Sequence, residues 1–493
     1  MDMLLSGIGM LMHLDVMIAL LIGSVGGVII GAIPGVGPAV AIAILLPATF
    51  SLPPLVGLVM LLGIYGSSMF GGSLPAILIN TPGTAVNALT TYDGHPMTKR
   101  GEALKALGLA YGASFVSGIL SILALILLSP VLARIAPMFG SKEIFLAALM
   151  GLVLVVIAHR GQTLAAGMLA GLGIFIGTIG LEPLKYTQRY TFGQDWLGSG
   201  FELIVVVLGL FALSQAFSLL TEPETAPEAA PIKGSMARAM TKVLGYKRVA
   251  AVGTGFGVLM GMVPGVGEFT AQFLSYTYAQ KTSRTPEAFG KGSAEGLVAS
   301  EAANNAVPAA AMIPLLALGI PGEALTAMML SVFYVHNVIP GPQLFQGQLD
   351  FVYALYVAMI LLNVIVVLFM IVSSNLLLRI IRIPTRFLGV MILTLSFVGV
   401  YSLRNSVVDC AVAAGFGWFG LILKRQNLPA VPIILGLVLG GIMETKFRPA
   451  MTRVEVLADF FTRPVAAILG LAILCLVIGH FAALYREKEA GRT

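Results

Sequence analysis

One fifteen-residue pattern occurs twice in this chain. GSVGGVIIGAIPGVG at 23–37 aligns with GTGFGVLMGMVPGVG at 253–267 at an offset of 230, with eight of fifteen positions identical and all of Pro-Gly-Val-Gly shared. A second pair, SLPAILINTPGTA at 73–85 and MIPLLALGIPGEA at 312–324, aligns at an offset of 239. It superposes Pro75 on Pro314, Pro82 on Pro321 and Gly83 on Gly322. The chain therefore consists of two related halves, each with two proline-glycine interruptions inside apolar sequence.

That apolar sequence excludes a soluble globule. Of the 493 residues 58% are hydrophobic and 11% charged, against roughly 25% charged in soluble domains. At about 20 residues per crossing, the chain supplies about 12 membrane spans. Apolar runs fall near 16–33, 39–50, 53–66, 72–81, 105–129, 142–158, 161–181 and 201–220, then near 249–263, 268–279, 297–318, 323–338, 351–376, 387–402, 408–423, 428–442 and 464–484. The expected architecture is an all-α polytopic membrane protein. A first transmembrane repeat covers 1–220, a polar, proline-rich cytoplasmic linker 221–248, a second repeat 249–485 and a cytoplasmic tail 486–493.

Basic residues suggest how the halves are oriented. Placing the linker, with Lys233, Arg238, Lys242, Lys247 and Arg248, in the cytoplasm also puts Lys99–Lys105, Arg160, Arg379–Arg386 and Lys424–Arg425 inside. The uncharged-to-acidic stretch Pro340–Asp350 then lies outside, whereas its first-half counterpart, Thr84–Glu102, lies inside. The two repeats are expected to be inverted, with broken helices or re-entrant hairpins. Lys446, Arg448, Arg453 and Arg463 fit this scheme least well, because it places them outside.

Several function classes drop out. The net charge of +6 comes without any run of five or six basic residues, so nucleic acid is not an expected partner. Cys410 and Cys475 are 65 residues apart, and His13, His95, His159, His336 and His480 are scattered, so no metal-ligand spacing exists. GKGS at 290–293 lacks the spacing of a nucleotide-binding loop. No serine has an evident histidine partner, and an enzyme is not expected. The first basic residue is Lys99, so the amino-terminal helix does not read as a cleaved leader.

Proline lacks an amide hydrogen and glycine weakens helices, so the Pro-Gly-Val-Gly segments should stop a helix at membrane depth. Such backbone is tolerated only where it is buried or lines a polar cavity, and paired breaks in two repeats point to a transporter binding site. Free amides at helix starts favour a carboxylate; free carbonyls with Asn or Thr oxygens suit sodium. On this reading the carboxylate falls to Gly35, Val36, Gly37, Ser67, Ser68, Thr81, Pro82, Gly83, Gly265, Val266, Gly267, Asn304, Asn305, Pro321 and Gly322. Sodium falls to the oxygens of Pro34, Asn80, Pro264, Gly319 and Glu323. Ser73 is a further polar neighbour, and Glu268, Glu301 and Glu323 are the nearest carboxylates, either cation or proton carriers or loop positions. With no arginine or lysine in the apolar runs around the motifs, amide dipoles and co-transported cations would have to neutralise the anion, which favours sodium coupling. The serines and asparagines also suit plain interhelical hydrogen bonding. Glycines at 23, 27 and 31 and at 253, 257 and 261 form a smooth face for close helix packing.

Taken together, GAIPGVGPAVAIAILLP, GIYGSSMFGGSLPAILINTPGTAVNALTTYDGHPMTKRGEALKALGLA, GMVPGVGE and EAANNAVPAAAMIPLLALGIPGEA resemble the large membrane subunit of tripartite tricarboxylate transporters, the TctA family. The resemblance implies a bacterial inner-membrane secondary transporter of citrate-like carboxylates, driven by sodium or protons and moving as an elevator. It also implies two partners, a small four-helix membrane subunit and a periplasmic solute-binding protein. The competing readings are an ion channel or antiporter without organic substrate and a non-transporting scaffold.

Overall fold

The computed structural model describes residues 2–33, 36–159, 161–182, 186–221, 232–380, 383–452, 454–455 and 457–489. Pro34, Gly35, Arg160, Arg453, linker residues 222–231 and the last four residues lie outside this set. After a short helix at Asp2–Leu11, the first half contains α1 (Leu14–Gly31), α2 (Gly37–Thr49), α3 (Pro54–Ile79), α4 (Ala88–Lys99), α5 (Ala103–Ile135), α6 (Ser141–Ala158), α7 (Thr163–Gly177) and α8 (Leu203–Thr221). The second contains α9 (Lys247–Gly261), α10 (Gly267–Thr282), α11 (Ala294–Leu318), α12 (Ala324–Val335), α13 (Leu349–Ile380), α14 (Thr385–Arg404), α15 (Val407–Arg425), α16 (Val431–Met451) and α17 (Pro464–Glu489).

Among the described residues nine helices are long and apolar enough to cross a membrane, and three shorter apolar ones are α2, α7 and α12. The protein is a multi-pass membrane protein. Large apolar side chains stay exposed on the outer helices, among them Leu471, Leu474, Ile478 and Phe481 of α17, where acyl chains are the natural solvent.

One expectation needs correction. The runs 53–66 and 72–81 are a single helix, α3, that continues through Gly66-Ser67-Ser68 and Gly71-Gly72-Ser73. The serines are accommodated within it: Ser68 Oγ donates back to Tyr65 O at 3.0 Å, and Ser73 Oγ, 3.3 Å from Met69 O, gives its hydrogen to the nearer Glu301 Oε2 at 2.9 Å. Part of the polar stretch between the halves is also ordered, with a helix at Met236–Met240 packed on α5 against Gly108 and Gly112.

In lipid there is little hydrophobic drive between helices, so close packing holds the bundle together. The glycine faces supply it, and they do so twice in the same way. A β-carbon on Gly23 would lie 3.0 Å from Met60 Cα, and one on Gly253 would lie 3.0 Å from Ala299 O. On Gly27 it would meet Ile64 Cα at 2.7 Å, on Gly257 Ala303 O at 2.5 Å; on Gly31 Ser68 Cα at 2.9 Å, on Gly261 Val307 Cα at 3.2 Å. Met60, Ile64 and Ser68 become Ala299, Ala303 and Val307 on adding 239, so α1 on α3 and α9 on α11 repeat one another contact by contact.

The two halves are also joined across their polar ends. Asp93 of α4 accepts from the amides of Gly292 (2.8 Å) and Ser293 (2.7 Å) and from Tyr276 Oη (2.9 Å). Arg100 donates to the carbonyls of Lys291 and Gly292. At the opposite end two of the ill-fitting arginines have partners: Arg448 pairs with Glu182 at 3.1 Å and Arg463 with Glu143 at 3.3 Å.

Candidate functional site

Both Pro-Gly-Val-Gly segments separate helices. α1 ends at Gly31 and α2 starts at Gly37, which has φ +58°; α9 ends at Gly261 and α10 starts at Gly267, with φ +69°. Gly265 has φ +84°, a conformation that glycine adopts without strain. Its amide donates to the carbonyl of Gly322 at 2.6 Å, so the two breaks of the second half are tied together. In the first half the corresponding Gly83 packs against Gly31 and Gly72, as Gly322 packs against Gly261 and Ala311.

The second breaks match as closely. α3 ends on Asn80 (φ +57°) and α11 on Gly319 (φ +70°), both left-handed caps. The next amide returns to a proline carbonyl in each case, Thr81 N to Pro75 O and Ile320 N to Pro314 O, both at 3.4 Å. Beyond the break, Glu323 is the N-cap of α12, and its amide donates to Thr326 Oγ1 at 3.0 Å.

These breaks meet at one cavity of about 660 Å³, a size suited to a small organic ligand. Its lining is paired. Val36, Gly37, Pro38 and Val40 face the cavity, and so do Val266, Gly267, Glu268 and Thr270; Thr84 and Val86 are matched by Glu323 and Leu325. Every pair is related by the offsets of the sequence repeat. The chemistry is not paired: the second half presents Glu268 and Glu323, each with an Oε1 lacking a hydrogen-bond partner, where the first presents Pro38 and Thr84.

A third wall comes from outside the duplicated motifs. Leu210, Phe211, Ser214 and Gln215 of α8 line it, beside a widened π turn at Leu208–Leu213. Gly420, Leu423 and Lys424 of α15 and His159 after α6 complete it. Lys424 Nζ donates to Gln215 Oε1 at 2.9 Å and Ser218 Oγ at 2.7 Å. The apolar runs around the motifs hold no lysine or arginine, but Lys424 reaches the cavity from beyond them, so amide dipoles and cations are not the only positive groups there. Lys424 reads in sequence as a loop charge at a helix end, and only the packing of α15 on α8 turns it toward the cavity.

The structure brings Val36, Gly37, Gly265, Val266, Gly267 and Glu323 to this cavity. Ser67 and Ser68 are buried where α3 meets α1, Ser67 Oγ reaching Gly23 O at 3.5 Å. Asn80 and Thr81 are exposed, Pro82 is half-buried, and Gly83, Pro264, Gly319, Pro321 and Gly322 are buried in the breaks themselves. Asn304 is buried, with neither polar side-chain atom bonded to protein, and Asn305 donates to Ser114 Oγ at 2.6 Å. Pro34 and Gly35 lie outside the described residues.

The model of the Tripartite tricarboxylate transporter TctA family matches residues 17–435. An uncharacterized 52.8 kDa protein in the TAR-I ttuC' 3'region of Agrobacterium vitis is 33% identical over 475 residues, 95% of this chain and 94% of that one. An uncharacterized protein in the TAR-II ttuC' 3'region of the same organism is 32% identical over 235 residues, 47% of this chain and 97% of that one. No solved structure matches.

Proposed function

This chain belongs to the tripartite tricarboxylate transporter TctA family, and from that premise we propose that its cavity binds a citrate-like carboxylate during uptake driven by sodium or protons. The protein is the large membrane subunit of the system. Its partners are a small four-helix membrane subunit and a periplasmic binding protein that delivers the ligand. It sits in the bacterial inner membrane with its two repeats inverted and moves as an elevator.

The observation that carries this reading is the paired lining of the cavity by the helix breaks of both halves. The starts of α2 and α10 bring backbone amides toward a carboxylate, and Lys424 adds a positive charge. Glu268 and Glu323 oppose the anion. At an effective dielectric of about 20, two like charges about 6 Å apart repel by about 3 kcal/mol. A tricarboxylate beside two glutamates and one lysine therefore binds only with cations or protons, which ties substrate entry to ion entry. Twelve spans, the inversion and the elevator motion belong to the same reading, since paired breaks around one midplane site support alternating access.

The test is transport in vesicles containing the large subunit and its small partner, with citrate-loaded binding protein outside. Citrate should accumulate only under an inward sodium or proton gradient. Accumulation that survives collapse of every gradient, or ion conduction without any carboxylate, overturns the reading.

A further inference from the structure

Behind the cavity, a chain of hydrogen bonds leads from its wall to a carboxylate buried between the two halves. Glu301 of α11, with no solvent exposure, accepts on Oε2 from Ser73 Oγ (2.9 Å), Ser114 Oγ (3.2 Å) and Asn305 Nδ2 (3.4 Å), and on Oε1 from Thr90 Oγ1 (2.5 Å). Ser73 Oγ accepts from Asn87 Nδ2 at 3.2 Å, and Asn87 Oδ1 accepts from Thr84 Oγ1 at 2.5 Å. Thr84 lines the cavity. Ser73, Thr84, Asn87 and Thr90 all belong to the first half, so the chain crosses the junction.

Among the described residues no cation pairs with Glu301. The basic side chains on the helices packed against it are His95, Lys99, Lys105, Arg134, Lys247, Arg248 and Lys281, and none of them bonds to it. The other acidic or phenolic groups facing inward from those helices are Tyr65, Asp93, Tyr111, Glu268 and Tyr276. Asp93 is occupied by Tyr276 and two amides. Four neutral donors soften the charge of Glu301 but nothing of opposite sign cancels it, and an unpaired buried carboxylate costs several kcal/mol. A proton cancels it without needing the space of a metal ion.

We propose that Glu301 is the site of the coupling proton and that Thr84 converts its occupation into affinity for the carboxylate. This rests on the transport reading above and adds the identity of a coupling ion. With Glu301 ionised, every donor points inward: Ser73 to Glu301, Asn87 to Ser73, Thr84 to Asn87. Thr84 then offers only lone pairs to the cavity and repels an anion. A proton on Oε2 reverses the order. The new hydroxyl donates to Ser73 Oγ, Ser73 donates to the amide oxygen of Asn87, and the amide, turned about its last torsion, donates to Thr84 Oγ1. The hydrogen of Thr84 is released into the cavity, where it meets a carboxylate oxygen.

The only covalent bond formed is the O–H on Glu301, since every other hydroxyl keeps its own hydrogen. The bond broken is an O–H of a hydronium ion on the side to which the cavity opens, leaving water, and on the other side the proton passes back to a water molecule as the Glu301 O–H breaks. Linkage is reciprocal: a proton that favours the anion is itself favoured by the anion, which is the sign a symporter needs.

The experiment uses the same vesicles, with citrate-loaded binding protein outside, and compares two readouts. One is entry of labelled citrate into vesicles preloaded with unlabelled citrate; the other is accumulation driven by a proton gradient. Glu301→Gln, a permanently neutral group that can still donate, should lower proton-driven accumulation at least about tenfold more than it lowers exchange. Thr84→Val should lower exchange by about tenfold, and Thr84→Ser should restore it. Should Glu301→Gln fail to assemble, Ser73→Ala tests the same chain, with proton-driven accumulation expected to fall at least about fivefold relative to exchange. Proton-driven accumulation by Glu301→Gln or Ser73→Ala at the wild-type level overturns the proposal. Absence of any citrate exchange in the wild type overturns the transport reading and this proposal with it.

Discussion

The two halves fold alike but carry different chemistry. α1 lies on α3 through Gly23, Gly27 and Gly31, and α9 lies on α11 through Gly253, Gly257 and Gly261, against partners related by a constant offset. At the cavity the same symmetry sets Thr84 opposite Glu323 and Pro38 opposite Glu268. One step further in, Glu301, Asn304 and Asn305 stand where the first half has Leu62, Tyr65 and Gly66. Packing is constrained equally in both copies, because a backbone contact admits no side chain. Polar residues at the breaks face an open volume and are free to diverge, so one copy holds the carboxylates and the other the hydroxyls that serve them.

The equivalence of packing is the easiest part to break. Gly31→Leu and Gly261→Leu should each cost about 3 kcal/mol or more, because backbone must move, and monodisperse protein should be lost in both. Gly26→Leu and Gly255→Leu, where a β-carbon meets nothing, should purify normally. Loss in only one half would show that the copies are not equivalent.

The chemical asymmetry is tested by making the halves alike. Glu323→Thr gives the second half the residue of the first, and ion-driven citrate accumulation should fall at least about tenfold, equivalent to about 1.4 kcal/mol. Wild-type accumulation would empty the asymmetry of function. Lys424→Met removes the positive charge of the third wall and should raise half-saturating citrate by about tenfold with assembly intact. Lys424→Arg should recover part of that, because the charge persists while its point-like geometry does not.

The smallest effect concerns the loops that follow the breaks. Glu102, in the basic first-half loop, bonds to Lys105 at 2.8 Å and to Arg100 at 3.2 Å. The hydrogen bond from Lys105, the largest influence, holds its carboxyl below the usual range against the opposing effect of burial, with a lesser contribution from Arg100. A lowered carboxyl contributes stability above its unfolded titration range, about pH 4.3, and that stability is lost as pH falls through the lower folded value. Glu102→Gln should therefore cost a few tenths of a kcal/mol at neutral pH, the scale of an exposed ion pair. Thermal midpoints of variant and wild type should converge on acidification.

Much of the fold was legible because covalent geometry writes it directly. The Pro-Gly-Val-Gly runs separate helices in both halves, whereas single prolines such as Pro75 and Pro314 sit inside α3 and α11; glycines four apart mark a face whatever they touch. The repeat also disclosed that the breaks come in pairs. Three things were not legible. The joining of 53–66 to 72–81 depended on where the serine hydroxyls find acceptors, Ser68 on its own helix and Ser73 on Glu301, a choice that composition does not reveal. Lys424, Gln215 and His159 reach the cavity through packing of α8, α15 and α6, which carry no copy of the motif. Glu301 was visible as a carboxylate in an apolar run, but its partners Ser73, Thr90 and Ser114 lie roughly 200 residues away, and only the junction of the halves assembles them.

The wall formed by α8 and α15 has a further consequence. A chamber made solely from two identical copies of one motif would accept a ligand in either of two poses of equal energy, related by a half-turn. Nothing would then distinguish the end of the molecule that arrives first from the end that leaves first. Glu268 and Glu323 already set one copy apart from the other, and Lys424 and Gln215 on a single, unmatched side add a second bias of opposite sign, so the chamber is polar from end to end.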